Sequence, residues 1–356
     1  MGILVFIIIL AVLVLVHEFG HFIAAKKNGV LVEEFGFGFP PRLFGVKKGE
    51  TLYSVNLLPI GGFVKLYGEE YHEGKGPEDP LKSRAFVYKK PWQKTVIIVA
   101  GIMGNFLLAW VLISFLFTQG VPTPTNNVSV ESVQKSSPAY TAGIRASDEI
   151  KTIATAQKVY PITASDQLIS LSHTLGGQQI TIKIKRSGLE KNIAITPRKN
   201  PPAGQGPLGI VVTTFVVKKY PWYQAPFYGL AHAFDISFKI VTELSKTLFL
   251  LLSFQKPNVD VAGPIGIAQF TGQAIKFGNN AVLELAALLS LNLAVINILP
   301  FPALDGGRLM FVFYEWVSKR RANKTVERYV NLVGIVILLS LAFVISVHDV
   351  IKLFNK

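Results

Sequence analysis

The sequence predicts a polytopic α-helical membrane protein with four transmembrane helices, a membrane-associated β-hairpin and an inserted β-rich extracytoplasmic domain. Half of the 356 residues are hydrophobic and only 16% are charged, a balance typical of membrane proteins. Four apolar stretches are long enough to cross a hydrocarbon layer. A polar segment with period-two alternation, which is typical of β-strands, separates the second stretch from the third.

The first predicted span begins at the N-terminus. Every residue from Ile3 to Val16 is apolar, and the stretch stays apolar to Ala25 apart from one short motif. It has no basic segment before it, so we expect a retained helix rather than a cleaved signal peptide. The other predicted spans cover residues 95–118, 282–299 with a continuation past Arg308, and 332–348.

The motif in the first span is His17-Glu18-Phe19-Gly20-His21. In an H-E-x-x-H helix the histidines lie one turn apart on one face, so both can bind one Zn²⁺ while the glutamate acts on a bound water. At about 1.5 Å per residue, His17 lies roughly 20 Å from the start of a layer about 30 Å thick. Ionisable groups at such depth are functional candidates. The alternative is a chance spacing of unrelated residues.

The segment after the first span contains a predicted hairpin. Residues 53–66 form two short strands around Pro59-Ile60-Gly61-Gly62, a combination typical of a turn. An exposed edge strand beside a metal could pair with an extended substrate backbone, which makes Gly61, Gly62 and Phe63 candidate substrate-binding residues. The alternative is an ordinary hairpin that caps the bundle.

Basic residues set the predicted orientation. Twelve Lys or Arg lie in residues 26–94 and five in residues 319–328, which places both loops on the cytoplasmic side and both termini outside. The net charge of +14 comes from loops beside apolar spans, so anionic lipid headgroups are the expected counter-surface rather than nucleic acid. The chain has no cysteine, which excludes thiolate zinc sites and cysteine nucleophiles.

Residues 225–254 are a fifth apolar candidate. Asp235, Lys239, Glu243 and Lys246 recur at spacings that form one charged stripe along a helix otherwise rich in Phe and Leu. This pattern favours an interfacial amphipathic helix. The alternative is a true span with a polar inner face.

Asp305 is the candidate third metal ligand. It follows an apolar stretch, and Pro300, Pro302 and the pair Gly306-Gly307 interrupt the helix around it. Such an interruption at membrane depth is tolerated only where the backbone is buried or lines a cavity. Because the carboxylate needs a counter-charge there, we expect Asp305 to complete the zinc site. The alternative is a pair with Arg308.

The polar segment between spans two and three resembles a PDZ domain. Residues 128–133 and 180–185 alternate with period two. Between them, residues 137–144 and 148–150 are similar to the stretch S-P-A-x-x-A-G-[LI]-x-x-G-D-x-I, with Ser147 where the usual glycine stands. A PDZ groove binds an extended peptide as an added strand, so the expected ligand is a peptide whose sequence this chain does not specify. The alternative is a scaffold that only limits access to the membrane site.

These motifs make the chain resemble the site-2 proteases, in particular the bacterial membrane-embedded regulators of sigma-factor signalling. The resemblance rests on H-E-F-G-H, on N-x-x-P-x-P-x-L-D-G-G from Asn297 and on the single PDZ-like insert. It continues along nearly the whole chain, at residues 35–40, 59–67, 101–106, 263–268 and 347–350. Ile102 stands where the family has a proline.

The resemblance implies a zinc endopeptidase of the bacterial cytoplasmic membrane. His17, His21 and Asp305 would bind Zn²⁺, and Glu18 would be the general base. Asn297 would contact the substrate backbone, which the hairpin clamps. The substrates would be single-span membrane proteins, commonly anti-sigma factors already shortened by a first protease, and in some members remnant signal peptides. The predicted domains are residues 1–120, 121–202 (the PDZ domain), 203–281 (linker and amphipathic helix) and 282–356.

Two other functions fit parts of the sequence. A non-catalytic membrane scaffold could bind stress-signal peptides through its PDZ groove, but such proteins usually lose the base, and Glu18 is present. A zinc transporter would also carry ionisable residues inside its spans. Transporters usually show repeated ligand sets or inverted repeats, and neither is visible here.

Overall fold

The computed structural model describes residues 2–69, 80–253, 255 and 262–354. The chain forms two compact units, which are described separately. The first comprises Met1–Leu116 and Trp222–Lys356, and the second comprises Phe117–Pro221.

The described α-helices are α1 (Gly2–Lys27), α2 (Pro91–Gln119), α3 (Pro138–Thr141), α4 (Ser165–Thr174), α5 (Ala225–Leu252), α6 (Pro264–Phe277), α7 (Asn279–Ile298), α8 (Asp305–Ser318) and α9 (Lys324–Phe354). The described strands are β1 (Val32–Lys48), β2 (Thr51–Leu66), β3 (Val121–Val133), β4 (Glu149–Ala154), β5 (Val159–Pro161), β6 (Ile180–Arg186), β7 (Leu189–Ile195) and β8 (Ile210–Lys218). Two short 3₁₀ helices, Lys82–Arg84 and Phe86–Tyr88, precede α2.

Four of the described helices are long and apolar enough to cross a membrane, as predicted: α1, α2, α7 and α9. The continuation past Arg308 is a separate helix, α8. Helix α5 is not among the four, and its predicted last residue, Phe254, lies outside the described residues. Its N-terminal half packs on α2, where Trp110 Nε1 donates a hydrogen bond to the Pro226 carbonyl oxygen at 2.8 Å.

Helices α1 and α2 approach each other closely because small residues meet at their crossing. A Cβ atom on Gly20 would lie 2.2 Å from the Ala100 carbonyl oxygen, and one on Gly101 would lie 2.3 Å from His21 Nε2. Neither glycine therefore tolerates a side chain at this separation. The contact holds the histidine face of α1 directly against α2, which is the packing that small residues allow between membrane helices.

The structure corrects the predicted hairpin. The tight turn lies at Gly49 and Glu50, where Gly49 adopts a left-handed φ of 63° and joins β1 to β2. Residues 34–37 of β1 have strand partners on both sides, at 52–55 and at 62–65. The two halves of β2 around Pro59 are therefore not neighbours, because β1 lies between them.

Burial of apolar side chains explains this arrangement. Val32 and Leu66 belong to one apolar cluster with Phe22 of α1, and Phe35 and Val64 pack against the same cluster. A local hairpin within residues 53–66 would leave Val32 and Phe35 without these contacts. Placing β1 in the middle buries side chains from three strand segments together, which stabilises the sheet more than a local turn can.

The second unit is a six-stranded sheet with the order β7-β6-β4-β3-β8, and β5 pairs with β4. The predicted alternation in β6 is confirmed, since Ile180, Ile182 and Ile184 are at most 1% exposed. They form the core with residues of the other strands and Leu168 of α4. The unit continues past residue 202 because β8 pairs antiparallel with β3.

An ion pair fixes the turn before β4. Arg186 donates through Nε and Nη2 to the two carboxylate oxygens of Asp148, at 2.6 Å each. Burial raises the pKa of Asp148, but the hydrogen bonds from Arg186 and from the Arg145 backbone N–H outweigh it and hold that pKa below its usual range. Ser147, at the position where the PDZ pattern has glycine, adopts a left-handed φ of 70°. Ser147 therefore adopts the left-handed backbone conformation that glycine favours at such a turn.

Candidate metal centre and its cavity

Two helices bring the three candidate ligands together. His17 and His21 lie one turn apart in α1, and Asp305 is the first residue of α8. The preceding turn is tight, because a Cβ atom on Gly306 would lie 1.9 Å from the Leu299 carbonyl oxygen. This close approach directs the start of α8, and with it Asp305, back towards α1.

The three ligand atoms nearly touch one another. Asp305 Oδ2 lies 3.1 Å from His17 Nε2 and 3.2 Å from His21 Nε2, and the two Nε2 atoms are 3.1 Å apart. All three side chains are 11 to 12% exposed. The predicted trio is thus assembled in one place, largely shielded from solvent.

A backbone contact sets the tautomer of His21. Its Nδ1 lies 2.9 Å from the Ile97 carbonyl oxygen, which can only accept, so Nδ1 carries the proton. The Nε2 atom therefore presents a lone pair to the centre of the trio. This is the outer hydrogen bond that metal-binding histidines typically make.

The donor set fits a zinc ion. Lone pairs of Nε2 and of a carboxylate repel each other at 3.1 to 3.2 Å unless a cation lies between them. Asp305 Oδ2 and His17 Nδ1 are buried atoms without a hydrogen-bond partner. Tetrahedral zinc with ligand bonds of about 2.0–2.1 Å separates its ligand atoms by roughly 3.3 Å, close to the observed spacing.

Glu18 lies beside the trio and is not part of it. Its side chain is half-buried and lines the same cavity as the two histidines. A Cβ atom on Gly62 would lie 3.7 Å from Glu18 Cγ, so residues 62–65, the outer segment of β2, pass next to this carboxylate. The arrangement leaves Glu18 free to act on a molecule bound at the trio.

A cavity of about 620 Å³ surrounds these residues. Besides His17, Glu18, His21 and Asp305, its lining includes the end of β2 and the residues that follow it, 63–69. This volume is sufficient for several residues of an extended peptide. The candidate ligands therefore face a space that a substrate can enter.

The other predicted site residues divide into two groups. Asn297, near the end of α7, and Phe63 line the cavity. Gly61 and Gly62 are not among its lining residues: a Cβ atom on Gly61 would lie 2.8 Å from the Phe39 ring, and one on Gly62 would lie 3.0 Å from the Gly36 carbonyl oxygen. These glycines shape the start of the outer strand segment.

Arg308 does not pair with Asp305. Its Nη1 donates to Glu69 Oε1 at 2.6 Å, which links α8 to the residues after β2. A second ion pair, between Lys94 Nζ and Glu315 Oε2 at 2.6 Å, links α8 to α2 with side chains that are 5% and 15% exposed. This second link could not be predicted from the sequence, because charges this far apart in the chain show no common pattern.

Comparisons with known proteins agree with this chemistry. The model of peptidase family M50 matches residues 5–341. A candidate zinc metalloprotease of Clostridium perfringens is 34% identical over 341 residues, which are 95% of each chain. One of Clostridium acetobutylicum is 31% identical over 99% of this chain and 98% of its own. The regulator of sigma-W protease RasP of Bacillus subtilis is 29% identical over 99% of both chains.

Proposed function

Since the chain belongs to peptidase family M50 and is a zinc metalloprotease with membrane-spanning helices, we propose that it cuts single-span membrane proteins within the bilayer. One observation carries this proposal. His17 and His21, in a helix long and apolar enough to span the membrane, converge with Asp305 of α8, and Glu18 lies beside them in a cavity large enough for peptide. A scaffold that only bound peptides would not need this set.

The three ligands and Glu18 have separate roles in the proposed reaction. His17, His21 and Asp305 hold the zinc ion. A zinc ion held there would supply Lewis acidity towards a water molecule and the scissile carbonyl oxygen. The Glu18 carboxylate accepts a proton from the water whose oxygen bonds to the scissile carbonyl carbon, and it donates that proton to the amine nitrogen as the C–N bond breaks.

The outer segment of β2 is the proposed substrate clamp. Residues 62–65 pair with β1 on one side, and no other described strand pairs with their outer side, next to which the cavity lies. A substrate stretch that leaves its helix can add to this edge as a further strand. The Asn297 amide, on the cavity wall, then hydrogen-bonds the same backbone. This geometry requires the substrate helix to open locally.

The proposed substrates are anti-sigma factors shortened by an earlier cleavage, and remnant signal peptides. The name of the Bacillus subtilis relative, regulator of sigma-W protease, supports the first class. In both classes a single apolar span must enter the cavity. Membrane lipids are the remaining partners, as the basic loops beside the spans suggest.

The second unit is proposed to be a PDZ domain that limits substrate access. Its sheet, the Ser137 cap that accepts from the Tyr140 backbone N–H at 3.1 Å and the left-handed Ser147 support this. The domain carries none of the proposed catalytic residues.

The proposed location is the cytoplasmic membrane of a bacterium, with both termini and the second unit outside. The chain has no cysteine, so each introduced cysteine is the only thiol. In intact cells, we expect a membrane-impermeant maleimide to label Gln157→Cys, on the exposed surface of the second unit, and to leave Arg320→Cys unlabelled until the cells are lysed. Labelling of Arg320→Cys in intact cells, with Gln157→Cys protected, would reverse the orientation.

The substrate's need to unwind gives a test of the proposed function. A single-span reporter with two glycines near the cut should be cleaved roughly 5- to 30-fold faster than its leucine counterpart, because each glycine weakens a helix by about 1 kcal/mol. Cleavage is measured with purified enzyme in detergent, and Asn297→Ala should be slower on both reporters while it retains zinc. Equal rates for the two reporters would exclude strand addition as a requirement.

A further inference from the structure

His17 and Asn105 share an unusual property. His17 Nδ1 and both polar atoms of the Asn105 side chain are buried and have no hydrogen-bond partner. Asn105 is 0% exposed. Within the described part of the first unit, Asp305 Oδ2 is the only other buried side-chain atom in this condition. Buried polar groups almost always have a hydrogen-bond partner, so we expect each of these atoms to have one.

The packing of α1 on α2 places the two residues at the same level. A Cβ atom on Gly101 would meet His21 Nε2, and one on Gly104 would meet the Val16 carbonyl oxygen, so the helices run in opposite directions. Asn105 follows Gly101 by one turn, and His17 precedes His21 by one turn. Both side chains also line the same cavity.

The proton on His17 makes the pairing chemically specific. Its Nε2 faces the trio and must keep a lone pair to bind a metal, so its Nδ1 carries the proton and is a donor. His21 satisfies the equivalent donor with the Ile97 carbonyl oxygen. His17 has no such acceptor. The oxygen of the Asn105 amide is an unused acceptor at the right level.

We propose that Asn105 is a positioning residue of the metal centre: its amide oxygen accepts the Nδ1 proton of His17 through one buried water, which pairs with both atoms. The contact fixes the tautomer and ring orientation that present Nε2 to zinc. The inference rests on the proposed ligand role of His17, and it does not depend on any substrate. It explains why a polar side chain without a partner lies at 0% exposure beside the centre.

Zinc affinity of the purified full chain tests the pairing. Loss of a hydrogen bond to the outer nitrogen of a metal-binding histidine weakens metal binding by about 10- to 100-fold. We therefore expect Asn105→Ala and the bulkier Asn105→Leu to bind zinc more weakly by this factor. A chelator should remove zinc from these variants at a correspondingly lower chelator concentration. Asn105→Asp keeps an acceptor and should bind zinc like the original protein. The visible absorption bands of the cobalt-loaded protein should shift in the Ala and Leu variants and return in the Asp variant.

Ser290→Ala is the matched control. The Ser290 hydroxyl donates to the Asn105 backbone carbonyl at 2.8 Å, so its removal disturbs the same helix contact without touching the amide. Zinc affinity should stay unchanged there. Unchanged affinity in Asn105→Leu, or an equal loss in Ser290→Ala, would overturn the pairing. Normal zinc affinity with absent peptide cleavage in the unmodified chain would instead contradict the proposed function and leave the pairing intact.

Discussion

Replacing Glu18 by glutamine is expected to abolish peptide cleavage and to leave zinc bound. Glutamine has nearly the same shape, but its amide cannot accept a proton from water. General-base catalysis typically contributes about 10²- to 10⁴-fold, so cleavage of a single-span reporter should fall by at least about 100-fold. Glu18 lies outside the ligand trio, and zinc content of the purified variant, measured by mass spectrometry, should equal that of the original protein.

Glu33→Gln is the matched control for this variant. Glu33 also lines the cavity, but it pairs with Lys65 at 3.1 Å and is partly exposed. The same chemical change at Glu33 should therefore leave cleavage within about twofold of the original rate, since surface ion pairs contribute little. Equal losses in both variants would mean that cavity charge, rather than proton transfer by Glu18, governs the rate.

The spans and the metal trio could be predicted from the sequence because each leaves a strong local signal. An uninterrupted apolar run such as Ile3 to Val16 has few alternatives to a membrane helix. His17 and His21 lie within such a run and Asp305 follows another, so these ionisable groups are costly unless they share a counter-charge. The structure brings these three side chains together, although they come from opposite ends of the chain.

The strand order around the site could not be predicted, because it depends on contacts between distant segments. Residues 53–66 contain a genuine reversal near Pro59, but sequence does not reveal that β1 lies between its two halves. Val32 and Leu66 are brought side by side by the apolar cluster at the end of α1, and such tertiary contacts override local turn signals.

Asn105 was missed for a related reason. Its segment, residues 101–106, was identified as similar to a family motif, but an asparagine in an apolar helix does not reveal what it faces. Only the crossing of α1 and α2, set by Gly20 and Gly101, places it level with His17. The buried ion pair of Lys94 and Glu315 likewise depends on the packing of α8 against α2, which the sequence does not reveal.

Asp305→Ala is expected to remove both zinc and activity. Catalytic zinc sites need three protein ligands and one open position for water, so the loss of one ligand leaves an incomplete set. We expect zinc affinity to fall by more than the roughly 100-fold that an outer hydrogen bond can cost. Competition with a chelator measures the affinity, and reporter cleavage at saturating zinc measures the activity.

Arg308→Gln separates this account from the alternative role of Asp305 as an ion-pair anchor. Arg308 lies one turn after Asp305 in α8 and pairs with Glu69 at 2.6 Å, so its replacement loosens α8 without removing a ligand. We expect zinc affinity within about fivefold of the original value in Arg308→Gln, because partly exposed ion pairs contribute at most about 1 kcal/mol. If Asp305→Ala retained zinc, the third ligand would have to come from another carboxylate of the cavity, and Glu18 would then be the first residue to examine.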